Sequence, residues 1–149
     1  MIQTTSTSST DSYMGILSTG GSSYYFRITF CKNGGQLHFY WVVAGTADSW
    51  GCVGKVLNDN NWHTVLVTYD GTTLTLYEDG RSQGTNNPLP DINTIGNNYN
   101  YLGDTVNQGN FIGTLKNVIY YDYVITISYA LAYSYKEAGV IIYNSGKYD

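Results

Sequence analysis

Residues 62–80 read WHTVLVTYDGTTLTLYEDG, and this stretch decides the fold of the chain. Side chains alternate in character along Val65–Tyr69 and along Leu74–Tyr77, with the period of two that a half-buried β-strand requires. Asp70-Gly71 reverses the chain between them. Asp79-Gly80 predicts another turn, because a type I′ turn needs positive φ angles, which Gly and Asp tolerate best. We therefore expect two short strands joined by one tight turn and closed by a second.

The composition is typical of a β-rich chain that owes its solubility to Ser, Thr and Asn rather than to charge. Its 149 residues suffice for a single domain, 1–149, with a substantial core. The chain has 17 Gly, 16 Tyr and only 2 Pro, and 12% of its residues are charged. A net charge of −4 and 7 scattered Lys and Arg residues exclude nucleic acid as a partner. The tyrosines are therefore interpreted as strand-forming aromatics.

The chain is organised as a polar lead, a series of short strands, one helix and an apolar tail. Residues 1–12 form the lead, and residues 140–149 form the C-terminal tail. Ser128 is suited to cap a helix over Tyr129–Ala138. The parity of the apolar residues changes near Lys116-Asn117, which predicts a β-bulge in the last long strand.

Two cysteines raise the question of a disulfide. We expect Tyr24–Phe30, Gln36–Val43 and Cys52–Val56 to form an antiparallel meander. Cys31 then ends its first strand, and Cys52 begins its third. These points lie at opposite ends of the sheet, whereas a disulfide tolerates a Cα separation of only about 7 Å. The pattern therefore predicts two free thiols.

Two blocks of sequence resemble the laminin G-like modules of the concanavalin A-like lectin/glucanase superfamily. The first is the Trp62–Gly80 stretch. The second comprises Tyr101-Leu102-Gly103 and Phe111–Asp122, followed by Glu137-Ala138-Gly139 at the end of the predicted helix. Together they cover roughly residues 14–139. The resemblance implies an all-β fold, an antiparallel two-sheet β-sandwich of jelly-roll type with one short C-terminal helix.

Catalysis is not expected. The glucanases of this superfamily use two carboxylates on one strand, and retaining chemistry needs them about 5.5 Å apart. This chain has only two glutamates, with Glu78 in the hairpin and Glu137 in the predicted helix. Cys31 and His38 lack a third group to orient them as a thiol catalyst. His63 matches the family's histidine after Trp, which implies a structural hydrogen bond at the strand entry.

The resemblance implies Ca²⁺ as a candidate cofactor, because many laminin G-like modules hold it at a loop rim. Carboxylate and carbonyl oxygens suit this hard cation. The acids available for such a site are Asp48, Asp59 and Asp104. The alternative interpretation is that all three are solvated loop acids.

A glycan site requires exposed aromatic side chains beside amide donors. Trp50 lies between Ser and Gly, and Tyr99 follows Asn98 in an Asn-rich segment. Trp50, Asn98 and Tyr99 are therefore the predicted ligand-binding residues. The alternative for Trp50 is packing over the sheet edge. Trp62, by contrast, is predicted to belong to the core.

The resemblance also implies one or two strands ahead of Gly15 that this chain lacks. An unpaired edge would remain, which natural proteins cover or use. The tail residues Val140–Tyr143 could fill it, a partner chain or second copy could donate a strand, or the sequence could be an excised piece.

These observations predict a non-catalytic binding module that recognises glycan or protein ligands at a cell, matrix or particle surface. The alternative is an assembly subunit of a virion or surface layer, joined through the open edge. We expect an extracellular or surface location, including a virion surface. The first residues lack the basic start and apolar core of a secretory signal. No segment approaches the roughly 20 apolar residues of a membrane span, so membrane insertion is not expected.

Overall fold

The structure is a computed structural model that describes residues 1–6, 13–20, 25–32, 34–87, 100–104, 109–121 and 140–143. These residues form thirteen β-strands, which in chain order are β1 Ile2–Gln3, β2 Met14–Gly20, β3 Tyr25–Phe30, β4 Leu37–Val43, β5 Thr46–Val53, β6 Val65–Tyr69, β7 Leu74–Glu78, β8 Arg81–Asn86, β9 Asn100–Leu102, β10 Gly109–Asn110, β11 Thr114–Leu115, β12 Val118–Tyr121 and β13 Val140–Tyr143. In the part of the chain that the structure describes, no helix has the length and apolar character needed to cross a membrane.

The strands form two main sheets. The six-stranded sheet has the order β10-β2-β3-β4-β5, with β9 also paired to β2, and the five-stranded sheet has the order β12-β13-β6-β7-β8. Most pairs are antiparallel, whereas β10–β2, β12–β13 and β13–β6 are parallel. The predicted all-β class and two-sheet architecture are confirmed. The predicted helix over Tyr129–Ala138 lies outside the described residues.

The core is built from side chains that the period of two places on the inner faces of both sheets. In the six-stranded sheet, Trp41 and Phe39 of β4 are 0% exposed. The inner residues of β3 and of the facing hairpin are buried with them: Phe26, Ile28, Phe30, Val65, Val67, Leu74 and Leu76. Burial of an aromatic or aliphatic side chain of this size contributes about 1.5–3 kcal/mol. The alternate residues of β3 and β4 must therefore point away from the core.

The predicted hairpin is present in the five-stranded sheet. β6 pairs with β7 in antiparallel register, with Val65 opposite Glu78. Asp70 Oδ1 accepts hydrogen bonds from the amides of both Thr72 and Thr73, at 2.9 and 2.7 Å, and so stabilises the first turn. At the second turn Asp79 and Gly80 have φ angles of 48° and 73°, as the type I′ prediction requires.

The prediction of two free thiols is wrong, because Cys31 and Cys52 form a disulfide with a Cα separation of 5.7 Å. The error lies in where β5 begins. Ala44 and Gly45 have positive φ angles and turn the chain directly after β4, so that β5 starts at Thr46. Cys52 is therefore near the end of β5 rather than at its beginning. In the antiparallel order β3-β4-β5, the ends of β3 and β5 lie at the same end of the sheet.

Three further features differ from expectation or resolve an alternative. Trp62 is 37% exposed, not a core residue, because it lies in the loop before β6. The irregularity at Lys116-Asn117 is a break between β11 and β12, which belong to different sheets, rather than a bulge. The tail strand β13 lies between β12 and β6, and β2 is paired on both sides. The edge expected before Gly15 is therefore paired within the chain.

We predict that reduction of the disulfide lowers the free energy of unfolding by about 3 kcal/mol, the value for a closed loop of this size. Urea unfolding with and without a phosphine reductant measures this difference. The double variant Cys31→Ser/Cys52→Ser should match the reduced protein and show no further response to reductant. An unchanged midpoint after complete reduction, verified by alkylation, would contradict the prediction.

Candidate functional site

The outward side chains of β3 and β4 form a continuous aromatic and cationic surface. Arg27 lies opposite Tyr40 in the antiparallel register of the two strands, and Tyr25 precedes Arg27 on the same face. His38 lies on that face of β4, and Tyr13 packs against it from the residue before β2. We call Tyr13, Tyr25, Arg27, His38 and Tyr40 the tyrosine–arginine face.

The guanidinium of Arg27 packs against two neighbouring tyrosine rings. Its Cζ atom is 4.3 Å from the centroid of the Tyr40 ring and 5.8 Å from that of Tyr25. The two ring centroids are themselves 5.6 Å apart. Cation–π attraction to both rings holds the guanidinium at the centre of the face. All three side chains are half-buried, so each keeps part of its surface open to solvent.

A second set of ring contacts extends the face toward the start of β2. The Tyr13 and His38 rings are stacked, with centroids 4.5 Å apart, and the His38 and Tyr40 centroids are 6.4 Å apart. Lys32 Nζ lies 5.3 Å from the centroid of the Tyr13 ring. The rings therefore run without interruption from one end of the face to the other.

His38 is a neutral member of the face. Burial and, to a smaller extent, the positive charge of Arg27 lower its pKa to about 4. At neutral pH the imidazole therefore offers one donor and one acceptor and adds no charge. Its Nδ1 atom is buried and makes no hydrogen bond.

Unpartnered polar atoms concentrate on this face. In the described residues, six buried side-chain nitrogen or oxygen atoms lack a hydrogen-bond partner, and four of them belong to Ser18, Arg27, Thr29 and His38. Ser18 lies opposite Arg27 on β2, and Thr29 lies opposite His38. Buried polar groups are nearly always hydrogen-bonded in native proteins, so such a group calls for an explanation. Their concentration beside half-buried rings sets this face apart from the rest of the described surface and makes it the candidate site.

A different polar cluster lies at the entry to β6, and its groups are bonded to one another. His63 Nδ1 is 3.0 Å from Asp79 Oδ2, and His63 Nε2 is 2.9 Å from Asp59 Oδ1. Asp79 Oδ1 also accepts a hydrogen bond from the amide of Thr64, and Lys55 Nζ lies 3.6 Å from Asp79 Oδ2. The cluster ties the loop before β6 to the turn after β7, in agreement with the structural role expected of His63.

The protonation of His63 follows from these contacts. Burial lowers the pKa of His63, but the hydrogen bonds to Asp79 and Asp59 outweigh burial and raise it above the usual value. The hydrogen bonds to Asn61 and then to His63 hold the pKa of Asp59 well below its ordinary range. With a carboxylate at each ring nitrogen, the imidazolium donates to both.

Glu78 is buried beneath this cluster. It is 0% exposed, and its Oε2 atom accepts a hydrogen bond of 2.6 Å from the amide of Lys55. Gly54 packs so closely on the carboxyl group that a side chain at position 54 would overlap it. Burial raises the pKa of Glu78 to about 7, although the hydrogen bond from Lys55 opposes this shift. The carboxyl group therefore titrates near neutral pH.

The structure does not bring the three candidate calcium ligands together. Asp48 lies on β5, where it accepts a hydrogen bond of 2.7 Å from the amide of Ser49. Asp59 is engaged by His63 and Asn61, and Asp104 follows β9. Within the described ranges, no three His, Cys, Asp or Glu side chains form a group that could hold a metal ion. Calcium binding stays a prediction.

The three predicted ligand-binding residues are not assembled by the described part of the chain. Trp50 is half-buried on β5, with its ring centroid 5.6 Å from that of Phe39 and its edge beside Gly84 of β8. Asn98 and Tyr99 lie outside the described residues. A glycan site formed by these three residues is therefore still a prediction.

Sequence reasoning missed the tyrosine–arginine face because it assigned the tyrosines to strand formation. The signal was present: Tyr25, Arg27 and Thr29 share one parity of β3, and His38 and Tyr40 share one parity of β4. Only the register between the two strands shows that these side chains are neighbours.

We predict that the contribution of Glu78 to stability is lost as pH rises from 5 to 8. The lowered pKa of His38 acts in the opposite direction over part of this range, so the contribution of Glu78 is measured against a variant without its carboxyl group. The pKa of Glu78 is raised from 4.5 to about 7. Its contribution to the free energy of unfolding is therefore complete below pH 4.5 and is lost as pH rises through 7. The pKa of His63 is also raised, from its usual value of 6.5, so its contribution to stability is likewise lost as pH rises above 6.5. Thermal melting across this pH range measures the loss. The difference in Tm between the protein and the variant Glu78→Gln should therefore shift against the protein as pH rises from 5 to 8; a difference that stays constant would contradict the role of Glu78.

Comparisons with known proteins agree with this architecture. A family model described as the concanavalin A-like lectin/glucanases superfamily matches residues 2–128. Domains LG4-5 of the mouse laminin alpha1 chain are similar in structure, with 19% identity and a TM-score of 0.53 over 76% of this chain and 29% of that one. An S-layer domain-containing protein from Clostridium thermocellum has 20% identity and a TM-score of 0.43, with 81% of this chain and 62% of that chain covered. The chain thus spans less than two thirds of either structure. Curated protein sequences give no significant match.

Proposed function

Because the chain belongs to the concanavalin A-like lectin/glucanases superfamily and has a laminin G-like fold, we propose that it is a non-catalytic binding module. Its ligand is a glycan, or a glycan-bearing protein, at a cell, matrix or particle surface. The observation that carries this proposal is the tyrosine–arginine face. This surface combines half-buried tyrosine rings with a half-buried guanidinium on the outer side of a sheet.

A saccharide matches both properties of the face. A sugar ring presents an apolar side of C–H groups, which packs on aromatic rings, and a rim of hydroxyl groups that donate and accept hydrogen bonds. Tyr25 and Tyr40 supply rings 5.6 Å apart, a spacing that one sugar residue can span. Polar groups of Arg27 and His38 lie beside these rings. Sites of this kind fix ligand orientation with a few polar groups on a largely apolar surface.

Two further observations support the proposal. The first favours binding over catalysis, and the second favours an oxidising compartment. Glu78, the one glutamate in the matched hairpin, is 0% exposed and out of reach of a polysaccharide. The disulfide between Cys31 and Cys52 is of the kind that persists in extracellular surroundings. An extracellular or surface location is therefore part of the proposal.

We predict that Tyr40→Ala weakens glycan binding by at least about tenfold, the equivalent of roughly 1.4 kcal/mol for one ring contact. A glycan array identifies the ligand, and calorimetry with the best member measures the affinity. Tyr40→Phe should retain most of it. The matched control is Trp62→Ala, since Trp62 is an exposed aromatic residue on the loop before β6. Equal losses in the Tyr40→Ala and Trp62→Ala variants would place the site elsewhere.

The second candidate function is an assembly subunit, and one observation favours it. β5 is a terminal strand of the six-stranded sheet, eight residues long, and six of its residues are exposed. A long exposed edge strand is able to pair with another chain.

Sedimentation velocity distinguishes the two functions. Under the binding proposal the protein stays monomeric at all concentrations. Under the alternative it forms dimers or larger species at high concentration, and Ala47→Lys in β5 should abolish them, because a lysine on an edge opposes strand pairing. Association that is unaffected by this substitution would contradict pairing through β5.

A further inference from the structure

We infer that Arg27 makes the tyrosine–arginine face specific for an acidic saccharide, one that carries a single carboxylate or sulfate group within an otherwise neutral glycan. This inference rests on the proposed function and adds the class of ligand. Its basis is the uncompensated positive charge of Arg27, the fixed orientation of its guanidinium and the neutral character of the groups around it.

The charge of Arg27 has no acidic partner in the described part of the chain. The ion pairs found there all lie in the cluster at the entry to β6, where they involve Lys55, His63, Asp59 and Asp79. Arg27 Nε is buried and makes no hydrogen bond. Burial of a charge is costly unless the charge is paired. An anion of the ligand supplies the pairing that the described residues do not.

The two tyrosine rings that pack against Arg27 prepare it for this role. With Cζ 4.3 Å from one ring centroid and 5.8 Å from the other, the guanidinium is held in place before the ligand arrives. A planar guanidinium can donate two parallel hydrogen bonds to the two oxygens of a carboxylate or sulfate. The rotamer freedom of the side chain is then already lost, which lowers the entropic cost of binding.

The groups around Arg27 are neutral at physiological pH. Burial keeps the pKa of His38 at about 4, so the imidazole is uncharged. Burial and the hydrogen bond to Tyr40 raise the pKa of Tyr25, so its phenol stays protonated. Ser49 lies opposite Tyr40 on β5 and adds a neutral hydroxyl group. The face therefore offers hydrogen bonds for neutral sugar hydroxyls around one point of positive charge.

The charge of the whole chain favours a single acid group over a polyanion. The net charge is −4, with 11 Asp and Glu against 7 Lys and Arg. Near the face, the other described cation is Lys32, which is exposed and packs on Tyr13 at the far end. A densely sulfated polymer or a nucleic acid requires a run of cations to neutralise its charge. One fixed guanidinium suits one carboxylate or sulfate.

The test is a glycan array in which uronate-, sialate- and sulfate-bearing members are each printed beside their neutral parent, with heparin as the polyanion. Calorimetry then measures the affinities for the best acidic member and its parent. We expect the acidic member to bind at least about tenfold more tightly, the effect of a hydrogen bond to a charged group. Comparing the carboxylate and sulfate members identifies which anion is preferred.

Arg27→Gln should reduce the ratio of the affinities for the acidic member and its neutral parent from about tenfold to about one. Arg27→Lys keeps the charge but loses the planar fork, so it should retain part of the preference, and melting curves verify that both variants are folded. Equal binding of acidic and neutral members, with loss of both in Tyr40→Ala, overturns the inference and leaves the proposed function standing. Tightest binding to heparin also overturns it. No glycan binding at all overturns both.

Discussion

The alternation of inward and outward side chains along β3 and β4 is the constraint on which the rest of the structure depends. Phe39 and Trp41 are fully buried against the facing sheet, so the residue between them, Tyr40, must point outward. The same holds for Arg27 between Phe26 and Ile28. Because the side-chain period is two, a slip of one residue in β3 would bring Arg27 into the core, and a slip of one residue in β4 would bring Tyr40 there; either slip would move apolar residues to the surface. The burial of the core thus sets the composition of the outer face.

Polar side chains occupy two kinds of environment in this molecule, one in which they are hydrogen-bonded and one in which they are not. At the entry to β6, His63 is bonded to a carboxylate at each ring nitrogen, and this cluster joins a loop to a turn. On the outer face of the six-stranded sheet, buried atoms of Ser18, Thr29 and His38 make no hydrogen bond. The first arrangement stabilises the fold and leaves little for a ligand to bind. The second contributes little to the fold, which is why we assign function to it.

Local sequence patterns predicted the structural features that depend on a few consecutive residues. They did not predict the features that depend on contacts between distant parts of the chain. The β6–β7 hairpin and the positive φ of Asp79 follow from alternation and turn chemistry, which are properties of a few consecutive residues. The disulfide was missed because Ala44-Gly45 is a weak turn signal, and one misplaced strand start moved Cys52 to the wrong end of the sheet. The face around Arg27 depends on strand register, which a single sequence specifies only through the packing of the core.

The disulfide has a mechanical consequence for a protein that works at a surface. Cys31 and Cys52 join the end of β3 to the end of β5, with β4 between these strands in the sheet. A force that pulls on the exposed edge strand is therefore transmitted to β3 through a covalent bond, in parallel with the hydrogen bonds of β4. Peeling β5 from the sheet would not by itself separate it from β3. Under tension or shear the covalent tie would keep the strand that carries Arg27 connected to the edge strand after the hydrogen bonds beside it had broken.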